Sequence, residues 1–121
     1  MNALTWLAVL ALGGIGALAR FVIDAIIATA FGRDFPMGTL VINITGAFAL
    51  GLVTGLALTG DAVVLAGTAM LGSYTTFSTW MLETHRLREE GEFLRALANT
   101  LISLAFGIGA VALGRTIGAH A

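Results

Sequence analysis

Charged side chains fall in clusters along this chain, and the stretches between the clusters are apolar. Residues 1–19 carry no charged side chain, and the helical pattern continues through Arg20 and Asp24 to Phe31. Gly32, Arg33, Asp34, Phe35 and Pro36 then form a turn, and Pro36 suits the first turn of the next helix, where its missing N–H is not needed. Residues 35–60 are again uncharged and close on Thr59, Gly60 and Asp61, while residues 62–82 and 96–114 form two more such stretches. About 20 mostly apolar residues in a helix cross the roughly 30 Å hydrocarbon layer of a bilayer. The pattern therefore predicts an all-α, polytopic membrane protein. Its four transmembrane helices, at about residues 3–31, 37–58, 62–84 and 95–117, make a single domain over residues 1–121. The one clearly polar run, residues 83–95, reads as a solvated loop or a helix extension.

Composition agrees with that pattern. The chain is 58% hydrophobic with 16 glycines, and only 11% of it is charged, whereas a soluble domain carries roughly 25% charged residues. The four spans and their short connections use up these residues, so no soluble domain remains for an enzyme active site of the ordinary kind. A net charge of -1 and the lack of a basic cluster exclude a nucleic-acid partner. Without cysteine there is no disulfide, thiolate metal site or thiol nucleophile. The first span lacks the basic start of a secretory signal and reads as a mature helix. Arg33, Arg86, Arg88 and Arg95 fall on one side of the membrane and Arg115 on the other, but Glu89, Glu90 and Glu92 share the larger basic loop. So weak a bias leaves insertion in both orientations open.

The third span departs from a plain lipid-facing helix. Between Gly72 and Trp80 stand Ser73, Thr75, Thr76, Ser78 and Thr79. Hydroxyls satisfy freed backbone groups where a membrane helix is broken, and such breaks are tolerated only in a protein interior or beside a cavity. Two readings fit: close helix packing, or a break near the middle of the span that aims backbone groups at an ion. In the second span Thr39 and Asn43 share a face at a spacing of four residues, and in the fourth Asn99, Ser103 and Gly107 continue one face in the same way. Buried amides and hydroxyls need hydrogen-bond partners, so these stripes are expected to converge on the third-span cluster, as interhelical ties or as the wall of a permeation path. Arg20 either lines a pore mouth or pairs with Asp24 four residues on. Glu83 follows Trp80 by one turn and has three readings: an acceptor that orients Thr79 or an adjacent hydroxyl, a protonated carboxyl, or an ordinary helix-end charge. His85 and His120 read as surface groups, and the run from Gly51 to Gly55 serves close helix packing.

Three segments carry a family resemblance: Gly13 through Arg20, Gly38 through Phe48, and Gly72 through Trp80 followed by Glu83. In this order they resemble the signature segments of the Fluc/CrcB fluoride channels. The resemblance implies an antiparallel, dual-topology homodimer in a bacterial plasma membrane, which is the inner membrane of a Gram-negative cell. Two pores along the subunit interface would export cytoplasmic fluoride passively. A central structural Na⁺ would be held by the backbone carbonyls of Gly72 and Thr75 of each subunit. Phe77 and Trp80 match the pore aromatics, although the second position is usually Phe, and the indole adds bulk and an N–H donor. With Asn43, Thr39, Thr76, Ser78, Ser103 and Asn99 as neutral donors, Arg20 at the mouth and Glu83 in the vestibule, the path would dehydrate fluoride without a fixed positive charge.

Two other classes use similar material. A small dual-topology multidrug or cation exporter has four spans, but places a glutamate in its first span, where this chain has no acid before Asp24. A non-transporting accessory protein would use glycine and hydroxyl interfaces without needing a broken helix.

Overall fold

Asn2 starts the first helix, because its side-chain oxygen accepts the Thr5 amide at 2.9 Å and so satisfies one of the orphan donors of the first turn. The computed structural model describes all of residues 1–121. Helix α1, Ala3–Phe31, stops at Gly32, whose φ of +76° is readily adopted only by glycine. Helix α2, Met37–Gly55, follows Pro36, and its last turn closes where the Leu56 amide reaches the Leu52 carbonyl. It ends before residue 58 because Ala57, at φ +54°, turns the chain.

The third pass is not one helix. It begins as α3, Asp61–Val63, widens into a π-helical segment, Val64–Leu71, and returns to a single turn, α4, Gly72–Tyr74. Thr75 is extended (φ -78°, ψ 160°), and helix resumes as α5, Ser78–Glu89. The expected break is present, and the polar run leaves the apolar pass as an extension of α5. Gly91, at φ +79°, ends that extension in a Schellman-type turn in which the Glu92 amide reaches back to the Leu87 carbonyl at 2.8 Å. The final helix, α6, is Phe93–Ala119. Helices α1, α2 and α6 are each long and apolar enough to cross a membrane, and the broken pass makes four.

Packing depends on absent side chains. A Cβ on Gly51 or Gly55 of α2 would strike the α6 backbone at Val111 or Arg115, and one on Gly114 or Gly118 of α6 would strike the α2 backbone at Phe48 or Leu52. This reciprocal contact brings the two helices to backbone distance. Helix α1 lies against the first half of the third pass, with Gly16 on the Met70 carbonyl. Only 17 of 121 residues are buried, and the exposed ones include Leu4, Phe21 and Leu94. A surface so apolar suits lipid. The chain is a multi-pass membrane protein.

Candidate functional site

The break in the third pass frees backbone groups that a continuous helix would pair. In an unbroken helix the Thr76 N–H would bond to the Gly72 carbonyl. Here it donates instead to Asn43 Oδ1 at 2.8 Å, while Asn43 Nδ2 donates to the Thr76 carbonyl at 2.8 Å. The two bonds fix which way the amide points and leave Nδ2 a second N–H. Thr76 also caps the restarted helix, its hydroxyl oxygen accepting the Thr79 amide at 3.2 Å. The Thr75 hydroxyl donates to the Leu71 carbonyl at 3.0 Å, and its methyl packs over Gly46. Of these hydroxyls only that of Thr76 takes up a backbone group freed by the break, since the Leu71 carbonyl already accepts the Thr75 amide.

Beside the break lies a cavity of about 460 Å³. Asn43, Thr76, Phe77, Trp80, Ser103 and Gly107 line it, and Gly72 and Thr75 also border it. Ser103 Oγ is buried and has no hydrogen-bond partner within the chain. Phe77 meets Trp80 edge to face, with centroids 5.8 Å apart and planes at 82°. Phe77 is nevertheless 70% exposed. The cavity is therefore a half-open groove along the helix break.

Other residues expected at the site lie elsewhere. Thr39 is 3% exposed, and its hydroxyl donates to the Glu83 carboxylate, joining α2 to α5. Neither residue borders the cavity. Ser78 is exposed with its hydroxyl 3.4 Å from that of Thr76. Asn99 is fully buried and donates to Thr84 Oγ1 at 2.8 Å, so it ties α6 to α5. Its Oδ1 has no partner and, as an acceptor, offers nothing to an anion. Trp80 Nε1 donates to the Asn99 backbone carbonyl at 3.1 Å, so the expected extra donor is turned away from the groove. Thr84, which joins these two residues, carries no sequence signal beyond a hydroxyl one turn after Trp80.

Arg20 makes no ion pair. Asp24 pairs instead with Arg33 at 3.3 Å, which corrects the Arg20–Asp24 alternative. A basic residue four positions before an acid is the weaker helical order, and Arg33 reaches Asp24 from the turn that follows α1. His85 is exposed and sits 3.1 Å from Glu89, and His120 is exposed as well. No group of three His, Asp or Glu side chains could hold a metal.

Comparison with known proteins places this architecture. The family model described as "CrcB-like protein, Camphor Resistance (CrcB)" matches residues 7–115. A Mycobacterium tuberculosis protein named "Fluoride-specific ion channel FluC 2" is 52% identical over 112 residues, covering 93% of this chain and 89% of the relative. A "Fluoride-specific ion channel FluC 1" of Streptomyces avermitilis is 42% identical over 115 residues, covering 92% and 93% of the two chains. One of the same name from Leifsonia xyli is 41% identical over 123 residues, covering 98% of this chain and 89% of its own. The family match contains every residue of the groove at the helix break, and with identities of this level over most of the chain it makes the protein a member of the CrcB family.

Proposed function

We propose that this protein is a passive, fluoride-selective channel of a bacterial plasma membrane, and that fluoride travels along the groove at the helix break. The observation that carries the reading is the convergence of Asn43, Thr76, Phe77, Trp80 and Ser103 on one half-open cavity. Fluoride is a small, strongly hydrated ion and a better hydrogen-bond acceptor than chloride. A selective path must replace its water with close donors yet release it at each step. The free N–H of Asn43, the Ser103 hydroxyl and the electropositive edges of Phe77 and Trp80 are donors of that kind. None carries a charge that would trap the ion.

The open side of the groove calls for a second wall. An antiparallel copy of the chain supplies it, and the exposed Phe77 ring then becomes part of a shared path, two paths per dimer. The carbonyls of Gly72 and Thr75 suit a structural Na⁺ at the centre of that dimer. Support comes from the break itself: Thr76 N–H is diverted to Asn43, which leaves the Gly72 carbonyl oxygen without its helical donor, and oxygen ligands are what a hard cation takes. Such an ion supplies fixed positive charge that offsets the cost of bringing anions near. Thr39, Glu83 and Arg20 act at the approach to the groove, with Thr39 orienting the Glu83 carboxylate.

Currents across a voltage-clamped bilayer test the passive reading. A current that reverses at the fluoride equilibrium potential, unmoved by a pH gradient, is expected. A reversal potential that follows the pH gradient would instead indicate a proton-coupled exporter.

A further inference from the structure

We propose that Asn99 and Thr84 are positioning residues that lock the Trp80 indole, so that the ion path meets a ring edge and not an indole N–H. The assignment rests on the channel reading above. Three hydrogen bonds close a ring between α5 and α6. Trp80 Nε1 donates to the Asn99 carbonyl at 3.1 Å, Asn99 Nδ2 donates to Thr84 Oγ1 at 2.8 Å, and Thr84 Oγ1 donates to the Trp80 carbonyl at 2.9 Å. Trp80 and Asn99 each contribute one backbone and one side-chain group, so rotating either side chain breaks a bond. Asn99 is 0% exposed, and a buried donor that loses its acceptor finds no water to replace it. A helical carbonyl has a second lone pair, so the indole takes nothing from the α6 backbone.

The lock has a consequence for the ion. An indole N–H pointing into the groove would be a strong donor to a strong acceptor, and a site that binds too firmly slows exit. With the N–H fastened to α6, Trp80 faces the groove as a hydrocarbon ring, and it holds Phe77 edge to face at 5.8 Å. This is how a tryptophan stands where the resemblance calls for phenylalanine.

The test uses the full chain with Trp6→Phe, which leaves Trp80 as the single indole of the original 2. The ¹⁵N-labelled indole N–H is followed by NMR in micelles during titration with sodium fluoride. A slowly exchanging resonance that fluoride does not move supports the lock, and a resonance that shifts as fluoride binds overturns it. In liposomes, Thr84→Val is expected to change fluoride flux roughly fivefold, one buried hydrogen bond's effect, and Thr84→Ser to restore it. In a Trp80→Phe background the same Thr84→Val change should move flux far less. Equal effects in both backgrounds would mean a purely structural Thr84 and overturn the proposal. If the parent protein carries no fluoride at all, the channel reading falls, and the NMR arm still decides whether the indole is locked.

Discussion

Asn43 on α2 holds Thr76 from both sides, accepting its N–H and donating to its carbonyl, each at 2.8 Å. One side chain thereby satisfies both backbone groups of Thr76 at the break, across a separation of 33 residues in sequence. The same amide keeps one N–H for the groove. Structure and proposed conduction therefore depend on the same residue, and the amide cannot be exchanged for a carboxylate.

Asn43→Asp should cut fluoride flux by about tenfold or more, the factor that 1.4 kcal/mol represents. A carboxylate repels the anion and cannot donate to the Thr76 carbonyl, and leaving that group unpaired costs roughly 1–3 kcal/mol. Flux from liposomes checks the first effect and thermal unfolding in detergent the second. Unchanged flux would remove Asn43 from the path.

Phe77→Ile keeps bulk and removes the ring edge. Because Phe77 is 70% exposed in the single chain, the subunit should still fold, seen as a cooperative unfolding transition in detergent, while fluoride flux collapses. Normal conduction by this variant would contradict aromatic coordination.

Glycines at two kinds of position should respond in opposite ways. A Cβ at Gly114 would strike the Phe48 carbonyl, whereas nothing lies within 4 Å of one at Gly109. Gly114→Ala should therefore destabilise the fold by roughly 1–3 kcal/mol through overpacking. Gly109→Ala should be neutral or slightly stabilising in the single chain, since alanine is the better helix former by about 1 kcal/mol. Unfolding midpoints in detergent separate the two.

Four passes, the short turns and a break in the third were legible in the sequence, because charge placement marks the ends of apolar runs and the hydroxyls between Gly72 and Trp80 have no use on a lipid face. The convergence of Asn43, Thr76 and Ser103 was legible from the need of buried polar groups for partners. The π-helical stretch was not, since Val64–Leu71 reads as any apolar helix. Nor were the partners: Thr39 finds Glu83 across 44 residues and Trp80 finds Asn99 across 19. Helical spacing shows which side chains share a face but not which face of another helix they meet. The expected donor stripe therefore divides, with Ser103 reaching the groove while Asn99 is buried against Thr84.

Glu83→Gln retains an acceptor for the buried Thr39 hydroxyl, whereas Glu83→Leu strands it at a cost of roughly 1–3 kcal/mol. Thermal unfolding should rank the parent and Glu83→Gln together, with Glu83→Leu below them. A Glu83→Leu protein as stable as its parent would mean that the Thr39–Glu83 bond contributes nothing.

Fluoride efflux from liposomes holding the purified protein, followed with a fluoride electrode and compared with chloride efflux from matched vesicles, tests the central claim most directly. Rapid fluoride release with chloride retained is the predicted result. Fluoride release no faster than from protein-free vesicles, or equal release of chloride, would contradict it.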